Sequence, residues 1–342
     1  MKILVTGAAG YVGSVLTPLL ASHGHEVVAI DCNEDRLRRL EAALPFGSHV
    51  ELYPYSLDDL ARKPALFKGV EGVVHLAGVS GDAAAETDPA QTWHVNVESA
   101  FAVGRAAKKA GVRRFLFAST AAIYQVPTGH RLQHAILEED DQPPAESSLG
   151  VYARSKLAAE RALAELADAS FLVILVRKGS LYGYSPVMRW DLALNRVVLD
   201  AWRGSSFVLH DHGIVWRPIA HVFDAASAYV CLLTIPLAEM NGGLFSVVER
   251  NARLVDLTAE VDEVVRRVLG RGLVLRHGTS LVPQRTGRIS GDGLRRVGWR
   301  PRRSLADGVS ELLGRLVWRT ADTLGEAVTA STNSHLAARV LK

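Results

Sequence analysis

Tyr152 and Lys156 stand four residues apart in Tyr152-Ala153-Arg154-Ser155-Lys156, opening a stretch rich in Ala, Leu, Lys and Glu that predicts a helix over Tyr152–Leu166. That spacing puts a phenol and an ammonium on one helix face, within reach of a shared site. A tyrosine titrates near ~10, so lowering it by about three units needs roughly 4 kcal/mol of differential stabilisation. A lysine ammonium and a second cation, such as an oxidised nicotinamide ring, can supply it. The resulting phenolate can take a hydroxyl proton while hydride leaves the same carbon. Thr120, in Ala118-Ser119-Thr120-Ala121-Ala122, follows an apolar run and can hydrogen-bond the reacting oxygen. Taken alone, the tyrosine–lysine pair is commonplace in ordinary helices; its neighbours in the chain decide what it means.

A hydride needs an acceptor, and the amino terminus offers a seat for one. Thr6-Gly7-Ala8-Ala9-Gly10-Tyr11-Val12-Gly13 joins an apolar run, Lys2–Thr6, to a helical pattern, Tyr11–His23. Glycines at that spacing let the chain turn tightly, bring backbone close to a pyrophosphate and pack the helix on its strand. The helix start then offers free N–H groups and a positive dipole to the phosphates. Asp31 closes the next run, Glu26–Ile30, where a carboxylate hydrogen-bonds the adenosine ribose and repels a 2′-phosphate. NAD is therefore expected rather than NADP. Arg36, one helical turn on, reads as a solvated charge beside Arg38 and Arg39.

These residues need a scaffold. Apolar runs at Val50–Tyr53, Gly72–Leu76, Arg114–Ala118 and Phe171–Val176 continue the alternation of strand and helix. Continuous apolar strands between helices mean parallel strands buried on both faces. The expected fold class is α/β, a doubly wound parallel Rossmann-type sheet with a smaller C-terminal α/β substrate-binding part. A helix is expected from Asp88-Pro89 to Ala110, with Pro89 in its first turn and Gly111 past its end. The rhythm changes near Gly179, which predicts a cofactor domain over 1–178, an interdigitated substrate part over 179–320 and a polar extension over 321–342. Composition agrees: of 342 residues 48% are hydrophobic and 22% charged, with a net charge of +3, excluding a disordered chain and a dedicated nucleic-acid binder. Two cysteines, Cys32 and Cys231, exclude a disulfide scaffold and a cysteine-rich zinc site. No stretch approaches the ~18 apolar residues of a membrane span. Gly7, Gly10 and Gly13 interrupt the one apolar start resembling a secretion signal, so a cytoplasmic enzyme is expected.

The glycine loop, the Ser119-Thr120 element and the tyrosine–lysine helix, in that order, resemble the extended short-chain dehydrogenase/reductase family over about residues 1–317. His75-Leu76-Ala77-Gly78, Val95-Asn96-Val97, Arg177–Gly183, Trp216–Asp224 and Gly298-Trp299-Arg300-Pro301 extend the likeness. The resemblance implies catalytic roles for Thr120, Tyr152 and Lys156, with Lys156 also holding the nicotinamide ribose. It implies a cofactor site drawing on Gly7, Ala9, Gly10, Tyr11, Val12, Gly13, Asp31 and Cys32. Ser56, Leu57, Leu76, Ala77, Gly78, Asn96, Ser119 and Arg177 join them, with Tyr152 and Lys156. Within the family the second half of the chain is similar to the nucleotide-sugar epimerase/dehydratase branch. Arg217 and Arg285 match arginines that members use on a substrate diphosphate, a task suited to forked guanidinium donors. Ser80, Ala121, Ala122 and Asn195, with Thr120, complete the implied substrate site. Members usually form homodimers by pairing the helices that follow Asp88 and Tyr152.

Residues that are missing narrow the reaction this resemblance implies. Ala121 and Ala122 stand where dehydratases of the family carry Asp-Glu, and Ala122 where enzymes that epimerise beside a ketone carry cysteine. A methyl group can neither protonate nor deprotonate carbon. Hydride transfer at one carbinol remains: 4-epimerisation of a nucleotide sugar through a transient 4-keto intermediate. The alternatives are a nucleotide-sugar 4-ketoreductase or dehydrogenase, or an oxidoreductase acting on a non-sugar alcohol or ketone. Four departures from the family pattern stand out: Ser56 for an adenine-binding aspartate, Gln125 for a glycine, Ser246 for an asparagine, and Lys178 after the sixth strand. His210-Asp211-His212 lacks a third ligand, so no metal is expected. Glu138-Glu139-Asp140-Asp141 reads as a solvated acidic loop, and Arg266-Arg267 and Arg302-Arg303 as surface charges.

Overall fold

A computed structural model describes residues 1–236, 243–280 and 284–323. Its centre is a sheet of parallel strands: β1 (Lys2–Thr6), β2 (Glu26–Ile30), β3 (Val50–Tyr53), β4 (Gly72–His75), β5 (Arg114–Thr120), β6 (Leu172–Lys178) and β7 (Leu244–Val247). Their spatial order is β7-β6-β5-β4-β1-β2-β3. The chain steps outward from β1 to β3, then crosses to the far side of β1 with β4. Sheets of this kind bind ligands in the crevice at that reversal, outside the carboxyl ends of the strands.

Alternation along each strand sorts its residues onto two cores. Ile3, Val5, Val27 and Ala29 face the first helix, Gly13–Ser22, and the helix Val222–Thr234. Leu4, Val28, Val73, Phe115 and Phe117 face the helices Ala100–Lys109 and Val151–Ala164 on the other side. Covering both faces is what makes these strands read as unbroken apolar runs. β5 and β6 run two residues past theirs, because Ser119, Thr120, Arg177 and Lys178 still pair in the ladder.

The helix expected from Asp88 to Ala110 is interrupted. Pro89–Trp93 and Ala100–Lys109 are α-helical, while His94–Ser99 between them forms a π-helical turn. The wider turn rotates Asn96 inward. Its amide accepts from the Val79 N–H at 2.8 Å and donates to the Val79 carbonyl and the Ser155 hydroxyl at 3.0 and 2.9 Å. A π turn of this sort leaves no mark in apolar periodicity, and such turns recur at functional sites.

The smaller part is built on the helices Ala193–Arg203, Leu254–Leu269 and Leu305–Thr323, which share a third core of Leu194, Val198, Val261, Val265 and Leu313. The chain returns to the central sheet at β7, which pairs with β6. The 321–342 extension begins inside the last helix, and its residues from 324 on lie outside those described. One acidic residue departs from expectation. Glu139 is buried rather than solvated, and its carboxylate accepts the Ser246 N–H at 2.7 Å. Among the described residues no helix is long and apolar enough to cross a membrane.

Candidate active site

A cleft of about 710 Å³ runs along the carboxyl ends of the strands, and Thr120, Tyr152 and Lys156 all line it. Tyr152 lies in the first turn of Val151–Ala164, whose opening N–H at Val151 is capped at 3.2 Å by the Glu86 carboxylate. Lys156 follows one turn later, buried, with its ammonium 4.7 Å from the centre of the Phe117 ring. Thr120 ends β5 and caps the short turn after it, its hydroxyl accepting the Ala122 N–H at 3.1 Å. Burial pushes the Tyr152 phenol up, while the Thr120 hydroxyl and the Arg189 charge pull it back. Burial also brings Lys156 down to about 8. The expected depression of the phenol is thus not produced by protein groups alone. Lys156 is desolvated along with Tyr152, and the cationic ring of a bound dinucleotide would add a charge that favours the phenolate.

The cofactor end fits a dinucleotide. A Cβ on Gly13 would overlap the Gly7 carbonyl, and one on Gly78 would come within 2.6 Å of the Asn96 side-chain oxygen and 3.2 Å of the Lys156 nitrogen. Only backbone can occupy these places. The first helix starts at Gly13 with no side-chain cap, leaving its positive end to the cleft that Gly7, Gly10, Tyr11, Val12 and Gly13 line. Asp31 lines it too, its carboxylate held by the N–H groups of Ala9 at 3.1 Å and Asn33 at 3.0 Å. Cys32, Ser56, Leu57, Leu76, Ala77, Gly78 and Ser119 complete the wall. Ser56 also caps the helix Leu57–Ala61, and the neighbouring Asp58 lines the cleft beside it, bonded to Ser99 and His94.

Three expected cofactor residues lie outside the lining and act behind it. Ala9 works through its N–H on Asp31. Asn96 fixes the Val79 loop. Arg177 points away, its buried guanidinium gripping Glu160 through bonds of 2.9 and 2.6 Å and also reaching the Tyr124 hydroxyl. Its charge is neutralised internally and is not presented to a ligand.

On the substrate side, Ser80, Ala121 and Ala122 line the cleft, whereas Asn195, Arg217 and Arg285 do not. Asn195 is a fully buried bolt between the two parts. Its amide donates to the Tyr11 hydroxyl and the Arg189 carbonyl, each at 3.1 Å, and accepts the Gly183 N–H at 3.0 Å. Arg217 and Arg285 adjoin each other, the Arg217 guanidinium donating to the Arg285 carbonyl. Arg285 in turn donates to the carbonyls of Ser148 and Gln125 at 2.6 and 2.8 Å, and Gln125 borders the cleft. Both guanidiniums bond only to carbonyl oxygens among the described residues, and burial lowers both, Arg217 to about 10. Neither is bonded to a carboxylate among the described residues, and Asp82 is the carboxylate whose charge both feel.

Residues the motifs did not single out also reach the cleft. Arg189 enters from the smaller part, paired to Asp191 and donating to the Ser80 hydroxyl at 2.6 Å. His94 arrives through the π turn, and Arg36 borders the adenosine end, exposed but not turned wholly to solvent as expected. Arg189 and His94 are ordinary polar residues in sequence; only chain packing carries them here.

Residues 3–247 match the NAD dependent epimerase/dehydratase family. A UDP-glucose 4-epimerase of Corynebacterium glutamicum is 30% identical over 246 residues, covering 68% of this chain and 71% of the relative. One from Streptomyces lividans is 29% identical over 330 residues, covering 89% and 92%. Among solved structures, a UDP-glucose-4-epimerase from Stenotrophomonas maltophila with bound NAD and formylated UDP-arabinopyranose superposes with a TM-score of 0.80 at 21% identity, covering 94% of this chain and all of that one. With the glycine loop, Asp31 and the Thr120, Tyr152 and Lys156 side chains gathered along one cleft, these matches make the chain an enzyme of the NAD-dependent epimerase/dehydratase family.

Proposed function

We propose that the protein interconverts nucleotide sugars epimeric at C4, with a UDP-sugar as its substrate. The observation that carries this is the placing of Tyr152 and Thr120 beside Ala121 and Ala122 in one cleft. Proton transfer to oxygen is available there, and these two alanines offer no acid or base for carbon. Bound NAD supplies the hydride acceptor and donor. Gly7, Gly10 and Gly13 would cradle its pyrophosphate, Asp31 its adenosine ribose and Lys156 its nicotinamide ribose. Tyr152 removes the proton of the C4 hydroxyl and later returns one to the same oxygen, while Thr120 holds that oxygen in place. Arg217 and Arg285 lie outside the cleft's lining and adjoin it through Gln125; from there they would anchor the diphosphate, about which the sugar must swing to expose its other face. The UDP-glucose 4-epimerases at about 30% identity support the choice of C4 and of UDP.

The test is to incubate the purified chain with UDP-glucose and follow the sugar by proton NMR without added cofactor. Appearance of UDP-galactose at many turnovers per protein supports epimerisation by a retained cofactor. Turnover that requires added NAD and accumulates NADH makes the protein a dehydrogenase instead.

A further inference from the structure

The cleft contains a second lysine that the proton-transfer scheme does not use. Lys178 ends β6 directly opposite Thr120 on β5 and lines the cleft. Successive strand residues point to opposite faces. Arg177 therefore turns toward the Tyr152 helix and meets Glu160, whereas Lys178 turns toward Val222–Thr234. Its ammonium donates to the Ser119 carbonyl at 2.8 Å and the Tyr229 hydroxyl at 3.4 Å. Among the described residues no carboxylate bonds to it. The charges it feels from the Tyr152 helix are Lys156, which opposes its own, and to a smaller extent Glu160.

The half of the crevice beyond the strand reversal, over β4, β5 and β6, is the half away from Asp31, and so the half for the nicotinamide. We propose that Lys178 is a second cofactor-facing lysine, which makes the cleft favour the reduced, uncharged nicotinamide over the oxidised, cationic one. The oxidised ring adds a positive charge beside two buried amines, Lys156 and Lys178, and reduction removes it. Burial and Lys156 hold Lys178 well below the usual lysine range, so it gains its proton more readily when the ring is neutral. Either way the linkage has one sign: charge on Lys178 and charge on the ring disfavour each other. At an effective dielectric constant near ~20, two unit charges anywhere within ~10 Å of each other repel by enough to give a tenfold preference. In an epimerase this bias helps the cofactor draw hydride from a sugar carbinol.

The proposal rests on the cleft holding NAD, not on the identity of the sugar. Equilibrium dialysis of the full chain against mixtures of NAD⁺ and NADH, with the bound ratio read after release, tests it. The wild type should retain NADH at least ~10-fold over NAD⁺, and Lys178→Met should reduce that ratio by about 5-fold or more. If that variant does not fold, Lys178→Gln makes the same comparison. An unchanged ratio in a folded variant, or an equal loss of affinity for both forms, overturns the assignment. Failure of the wild type to bind either form overturns the dinucleotide site itself.

Discussion

At the residue scale, the protein buries a phenol, which disfavours its ionised form. Burial raises Tyr152, and the groups that oppose this are Thr120 and Arg189 rather than Lys156. Tyr152→Phe should leave the fold and bound NAD intact and slow turnover by at least ~10²-fold, the loss expected of general acid–base catalysis. Wild-type rates in that variant would remove Tyr152 from the chemistry. Arg217 and Arg285 carry a different burden. Arg217→Ala should weaken UDP-sugar binding by roughly 10-fold or more while sparing NAD, as loss of a charge-assisted bond to phosphate would. Calorimetric titration with UDP and with NAD separates the two, and equal loss of both would make the arginine a structural strut. That Thr120, Tyr152 and Lys156 share one cleft was legible because their types and spacing are local facts. Arg189 and Lys178 were not, since a lone arginine or lysine in a sequence does not say which way a strand or loop will turn it.

At the scale of elements, β4 carries a titratable group in the core. His75 is fully buried, its Nδ1 3.0 Å from the Thr6 hydroxyl and its ring stacked at 5.6 and 5.9 Å from those of Phe115 and Phe117. Burial, helped by the Lys156 charge, lowers it to about 3. The folded chain therefore keeps a neutral ring while the unfolded chain takes a proton near pH ~6.5. Stability is full above that pH and is lost as pH falls toward 3, at about 1.4 kcal/mol per pH unit from this group. His221, lowered to about 4, adds to the slope over its own window. Urea denaturation of wild type and His75→Leu from pH 7 to 4.5 should show a shallower decline in the variant; parallel curves would mean His75 does not titrate on unfolding. Periodicity located these strands to within two residues, yet it missed the π turn at His94–Ser99. Side-chain bonds from Asn96 to Val79 and Ser155 accompany that turn, and they join segments far apart in sequence.

At the scale of the whole molecule, the helices Ala100–Lys109 and Val151–Ala164 leave half-buried Phe101, Ala102, Ala106, Ala158 and Ala162 along their outer edges. Small side chains permit close helix approach, and a homodimer through these two helices is expected. Sedimentation velocity should find a dimer for the wild type and a shift to monomer for Ala158→Arg; a monomeric wild type would reject the pairing. The sequence alone determined the α/β layering, because burying both faces of a strand demands an unbroken apolar run. It also determined the dinucleotide loop and the tyrosine–lysine pair, because both are contiguous segments with their own geometry. Tertiary structure alone decided which charges face the cleft. Arg177 and Lys178 are neighbours in the chain, and the pleat of β6 sends one to a buried carboxylate and the other to the ligand's side.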